Sequence, residues 1–242
     1  MSMKVWSQHW QRWLGVFLET TCPLCQRSTA QTVCPACQRQ LEHCQLPASE
    51  QITHLEPWSL RILAWGSYQG SLKRAIAALK YDNHPELAGL LGQWLAQAWL
   101  THTSPAKPHL TVVPIPLHAD KQRSRGFNQA ELLAEHFCDL TGLPLNRCGL
   151  VRSRSTEAQF QLSASDRSQN LTDAFSLGTA WLKHPPTGAV LLLDDIYTTG
   201  ATARSAAQTL RRHGIRVSGI AALAKARSLH SGSVKPLGRS NL

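Results

Sequence analysis

Between residues 189 and 213 the chain reads AVLLLDDIYTTGATARSAAQTLRRH, and few folds accommodate such a run. The apolar stretch Ala189 to Leu193 ends in two adjacent acids, Asp194 and Asp195. Apolar residues without alternation suit a strand buried on both faces, as in the centre of a parallel sheet. The acids then fall at its carboxyl end. After them a turn of small residues, Thr198, Thr199, Gly200, Ala201 and Thr202, opens a helix. Unpaired backbone N–H groups at a helix start, with hydroxyls and a glycine that permits close approach, form an anion cradle. Two neighbouring carboxylates can accept hydrogen bonds from vicinal hydroxyls. A phosphate with a diol close by describes ribose 5-phosphate. Ordinary threonine capping of the helix explains the hydroxyls, but not a pair of mutually repelling acids.

The residues upstream support the same architecture. RILAWGSY from Arg61 reads as a strand, SLKRAIAALKY and PELAGLLGQWLAQAWL as helices, and TSPAKP as a turn-rich connection. LTVVPIPL is a strand, residues 128–140 a helix, 147–151 a short strand, 201–213 a helix and IRVSGIAAL a last strand. Strands alternating with helices predict an α/β fold whose parallel sheet is covered on both faces. In such sheets ligands bind beyond the carboxyl ends of the strands.

Four of the seven cysteines fall in two knuckles, Cys22-Pro-Leu-Cys25 and Cys34-Pro-Ala-Cys37, with eight residues between them. Each knuckle turns tightly enough for both sulfurs to reach one ion, and two complete a tetrahedral thiolate site, a structural Zn2+. Cys44, beside His43 and with His54 downstream, stands alone, and Cys138 reads as a small buried hydrophobe. These features divide the chain into an amphipathic helix at 1–19, a four-cysteine module at 20–57, an α/β domain at 58–226 and a polar tail at 227–242. The first of these carries Trp6, Trp10, Trp13, Leu14 and Phe17 on one face. That face reads either as docking on its own protein or as lying in a membrane interface.

The formal net charge of +10 selects for anionic partners: nucleic acid, phosphorylated metabolites or an acidic membrane surface. No apolar run reaches the roughly 18 residues of a spanning helix. The start of the chain lacks the pattern of a secretory signal, so the expected location is cytoplasmic.

The segment 189–203 resembles the signature of type I phosphoribosyltransferases, and the likeness extends over about 61–226. Two further stretches, VVPIPLHADKQRSRGFNQAELLAEHF and RSRSTEAQFQLSASDRSQNLTDAF, are similar to hallmarks of the ComF/GntX-like family. Pro114, Pro116, the run Arg125 to Gln129, Arg154, Gln159, Leu162, Arg167, Asn170, Ala174 and Phe175 carry that likeness. The resemblance implies a phosphoribosyltransferase domain preceded by a small zinc-ribbon-like module. It further implies that Asp194 and Asp195 hold the ribose hydroxyls of phosphoribosyl pyrophosphate (PRPP), and that residues 198–202 hold its 5-phosphate. Mg2+ would come with PRPP, carried mainly by the substrate's own oxygens. Purine-type members place an acid first in the phosphate loop; this chain has Thr198 there, which leaves the acceptor open.

Lys121, Arg123 and Arg125 follow a strand at the same sheet edge and read either as pyrophosphate or DNA-phosphate contacts or as solvated surface charge. The long polar stretch with Arg154, Gln159 and Arg167 reads either as a loop that closes over the site or as a plain mobile loop with Phe160 and Leu162 packed. By resemblance the function is competence and DNA uptake, handling incoming single-stranded DNA together with competence or helicase proteins. The alternative is an active PRPP-dependent transferase with an unassigned acceptor. A glutamine-dependent amidophosphoribosyltransferase is not expected, because the chain begins Met1-Ser2 without an N-terminal cysteine.

Overall fold

A computed structural model describes residues 20–56, 60–103, 109–153 and 174–226. The expected N-terminal helix, the loop residues Arg154, Gln159 and Arg167 with Phe160 and Leu162, and the tail lie outside them. At the centre is a five-stranded sheet. Its members are β3 (Ile52–Leu55), β4 (Leu60–Ser67), β5 (Leu110–Pro114), β8 (Ala189–Tyr197) and β9 (Val217–Lys225), in the order β3-β4-β9-β8-β5. Four of them run parallel, and β3 closes the edge as the antiparallel arm of a hairpin with β4.

Strand β8 is buried on both faces, as its unbroken apolar run requires. Leu191 and Leu193 enter the core beneath α3 (Gly70–Tyr81), α4 (Leu87–His102) and α6 (Gln129–Thr141). Val190 and Leu192 face the opposite layer, which contains α8 (Ala201–Arg212) and Phe175 and Leu177 of the small β6 (Leu150–Arg152) and β7 (Phe175–Leu177) ladder. Helices α4 and α6 approach closely because Gly92 carries no side chain; a Cβ there would lie 2.7 Å from the Leu133 carbonyl oxygen. Cys138, on α6, is buried as a small apolar side chain.

The cysteine segment has more regular structure than its composition suggests. A two-residue ladder of β1 (Thr20–Thr21) with β2 (Ser28–Thr29) holds the first knuckle. Helix α1 (Pro35–Glu42) then starts on the second, with Pro35 in the first turn, where a missing N–H costs nothing. A four-residue turn of helix, α2 (Ala48–Gln51), leads into β3. Cys22, Val33, Leu41 and Cys44 share one apolar cluster with Leu72 and Ile76 of α3, so the segment packs directly on the α/β body.

Two features position the site. Strand β5 pairs with β8 only as far as Pro114 opposite Leu193, whereas β9 accompanies β8 to Tyr197. A notch therefore opens beside Asp194 and Asp195 at the carboxyl edge. Beyond β5 a short helix, α5 (Ala119–Arg125), carries the three basic residues that follow the strand. Gly126 ends it in the left-handed conformation at φ 83°.

Candidate functional site

The notch is filled by side chains from four elements. Asp195 is 3% exposed, and its Oδ2 forms an ion pair with Nζ of Lys80, from the last turn of α3. Its other oxygen, Oδ1, accepts a 3.4 Å hydrogen bond from Nε2 of Gln129 at the start of α6. Gln129 in turn accepts from the Arg125 guanidinium, which lies over the Tyr81 ring, 5.2 Å from its centroid. Lys80 and Tyr81 are neighbours in sequence, so these contacts close a ring: Tyr81, Arg125, Gln129, Asp195, Lys80.

Asp194 has a different environment. Its Oδ1 accepts the Asp195 backbone N–H at 2.8 Å. Burial, and then the negative charge of Asp195, hold the Asp194 carboxyl well above the usual carboxylate range; Lys80 opposes this without cancelling it. From the opposite side Arg152 of β6 lies within electrostatic reach, its own pKa lowered by burial and raised in part by Asp194. One acid is thus neutralised by a bound cation, while its neighbour keeps an unsatisfied preference for a proton or a hydrogen-bond donor.

The loop after β8 is open. Thr198 and Thr199 are exposed, Ala201 and Thr202 partly so, and Gly200 caps α8 at φ 77°. A Cβ at Gly200 would meet the Tyr197 hydroxyl at 2.5 Å, so both backbone angle and space demand glycine. Arg204 donates to the Thr199 carbonyl at 2.9 Å and braces the loop. The first N–H groups of α8, like those at any helix start, have no intrahelical acceptor, and no side chain caps them.

The three basic residues of α5 divide. Lys121 and Arg125 line a cavity of about 650 Å3 together with Lys80, Tyr81 and Phe127. Arg123 instead pairs with Asp120 on its own helix, with its side chain 75% exposed. The sequence reading missed Lys80 and Tyr81, which carry no motif. It met Gln129 only as part of a family hallmark and gave it no role.

At the other end of the chain, the Sγ atoms of Cys22, Cys25, Cys34 and Cys37 all lie within 4.8 Å of one another, with Cys25 and Cys34 3.6 Å apart. A tetrahedral site with metal–sulfur bonds of about 2.3 Å spaces its sulfurs about 3.8 Å apart, so this donor set fits a metal such as zinc. Backbone N–H donation from Cys37 lowers the Cys34 thiol to about 7. Burial raises Cys37, and at Cys22 burial is outweighed by amide hydrogen bonds. Cys34 and Cys22 are thus shifted toward the thiolate that a metal ligand must be, whereas Cys37 would have to give up its proton to the ion.

No family model matches the chain. It is 31% identical over 198 residues to the DNA utilization protein YhgH of Salmonella typhimurium, covering 80% of this chain and 85% of that one. Competence protein F of Haemophilus influenzae is 33% identical over 175 residues, 71% of this chain and 75% of that protein. The chain belongs to the ComF/GntX-like family. Competence protein ComFC of Bacillus subtilis matches at 28% over 151 residues, 61% of this chain and 57% of that one. A solved structure of the allosteric regulatory enzyme of purine biosynthesis matches at 20% identity and TM-score 0.36, covering 58% of this chain and 26% of that one. The fold class that goes with membership is a mostly parallel α/β sheet behind an N-terminal cysteine cluster, and the described residues display it. No described helix is long and apolar enough to cross a membrane.

Proposed function

We propose that this chain is a cytoplasmic DNA-uptake protein whose α/β domain binds a ribose-5-phosphate moiety, free as PRPP or as part of a nucleotide or a DNA strand. One observation carries the reading. An acid pair at the carboxyl end of β8 stands next to an open Thr-Gly loop at the start of α8, in a notch ringed by Lys80, Arg125 and Arg152. The acids suit the ribose hydroxyls, and Thr198 to Thr202 suit the 5-phosphate. Lys121 and Arg125 suit a pyrophosphate or a backbone phosphate in the adjoining cavity. The competence and DNA-utilization names of the relatives, with the charge of +10, favour single-stranded DNA as the larger partner. The cysteine module, loaded with zinc, offers a surface for a competence or helicase protein.

The test is calorimetric titration with Mg2+ and PRPP of the wild-type chain and of the double variant Asp194→Asn, Asp195→Asn. Micromolar binding that the variant loses supports the reading, and pyrophosphate release with an added acceptor would move it to the transferase alternative. No heat in either protein would sink the ribose site. Function would then rest on the basic surface, where single-strand affinity should fall about tenfold or more between 50 and 200 mM salt for about three phosphate contacts.

A further inference from the structure

Tyr81 is the most exposed large apolar side chain among the described residues, at 75%. It ends α3, and the chain reverses just after it, with Asn83 in the left-handed region at φ 56°. Exposed aromatics are common, but this one is built in on one face. The Arg125 guanidinium covers that face at 5.2 Å and is itself tied through Gln129 to Asp195. From the other direction Lys80, the preceding residue, is held on the same carboxylate. Three quarters of the Tyr81 side chain stays exposed, and it lines one cavity with Arg125, Lys121 and Phe127. Nothing in the packing of the core uses this ring.

We propose that Tyr81 is a stacking platform for a nucleobase, so that the site takes a base-bearing nucleotide and not a bare sugar phosphate. The inference rests on the ribose-phosphate reading above and adds the base to it. A planar base laid on the open face gains stacking, and the cation behind the ring strengthens an aromatic that is already fixed in place. Stacking is indifferent to sequence, because every base has a π-face. The ring of contacts gives the platform a defined position relative to the acids: Lys80 and Arg125, on either side of Tyr81, are each held on Asp195, directly or through Gln129. Base and ribose are therefore read as one unit. The base can come from a free nucleotide or from a single strand, and the chemistry is the same.

Four probes separate these cases in full-length protein: ribose 5-phosphate, thymidine 5-monophosphate, an oligothymidylate, and an abasic oligomer of equal length. Tyr81→Ala should weaken base-bearing probes about 5- to 150-fold, the range of base–aromatic stacking, and leave ribose 5-phosphate and the abasic strand unchanged. Tyr81→Phe should bind like the wild type. A loss on the monophosphate assigns the platform to a free nucleotide; a loss confined to oligothymidylate assigns it to a strand, and either outcome supports it. Equal binding of wild type and Tyr81→Ala to every probe overturns the proposal while leaving the ribose site standing. An equal loss on base-bearing and base-free probes also overturns it, because Tyr81 would then only brace Lys80 and Arg125. If the wild type binds neither base-bearing probe, the platform falls, while the PRPP titration decides the ribose-phosphate reading separately.

Discussion

The cysteine cluster and the acid pair are both assemblies of ligand atoms, but they are put together by opposite routes. Cys22, Cys25, Cys34 and Cys37 converge from 16 residues of chain, through two tight knuckles, and their sulfurs meet within 4.8 Å. Asp194 and Asp195 are adjacent in sequence, yet every partner that defines them is remote: Lys80 on α3, Gln129 on α6 and Arg152 on β6. A local assembly of four thiols draws its stability chiefly from the ion it can hold, because neighbouring thiolates repel. A distributed one depends on the fold, and its charges must balance before any ligand arrives. The two regions should therefore fail differently.

The largest effect is expected at the cysteines. Structural zinc contributes on the order of 10 kcal/mol in small zinc modules. Here the module also packs Leu41 and Val33 against α3, so its loss reaches the body of the protein. A strong chelator, or Cys34→Ser, should release zinc at one equivalent per chain and lower the melting temperature by more than about 10 °C. Thermal melting with metal analysis checks this. A chain without zinc that melts unchanged would mean the sulfurs are held by the fold, and the contrast between the two regions would collapse.

At the distributed site the next largest effect belongs to Lys80→Met. It removes the cation from a carboxylate that is almost wholly buried and leaves two acids side by side. Breaking a buried pair by deleting one partner costs about 3–5 kcal/mol. Asp195→Asn should cost a similar amount, and the double variant much less than their sum, because the uncompensated charge is then gone. Denaturant titration of the four proteins measures the coupling. Strict additivity would show that Lys80 and Asp195 are not partners in solution.

The same contrast explains what could be read in advance. The cysteine spacing, the buried strand with its terminal acids, and the small-residue loop at 198–202 are all local patterns, and local patterns survive in a sequence. Lys80 was hidden because α3 does not pack back along the strands as a crossover helix usually would. It starts at the carboxyl end of β4, and its last turn reaches Asp195 at the same edge. No periodicity announces that course. Arg123 shows what a sequence run leaves out: it stands beside Lys121 and Arg125, but in the structure its exposed side chain pairs with Asp120 on its own helix. The β3 strand went unread because four residues of mixed polarity, Ile52 to Leu55, acquire their strand character only from pairing with β4.

The smallest effect separates the two acids from each other. Burial, and then the charge of Asp195, hold the Asp194 carboxyl well above its unfolded value of about 3.9. A carboxyl raised in the folded state favours folding fully below its unfolded pKa, and that contribution is lost as pH rises through the folded pKa. At neutral pH an ionised Asp194 is thus a net cost to the free protein, which the charge of Lys80 reduces without cancelling. Asp194→Asn keeps the shape, removes the charge and should raise the melting temperature by about 2–4 °C at pH 7, the equivalent of about 1 kcal/mol in a chain of this size. The gain should vanish below about pH 4, where Asp194 is protonated in both states. Asp195→Asn should lower it at the same pH, because Lys80 then loses its partner. Opposite signs at adjacent positions would identify Asp194 as the acid kept charged for a ligand and Asp195 as the acid kept charged by the fold. Equal signs would mean that the pair shares Lys80, and that the division between them does not exist before the ligand binds.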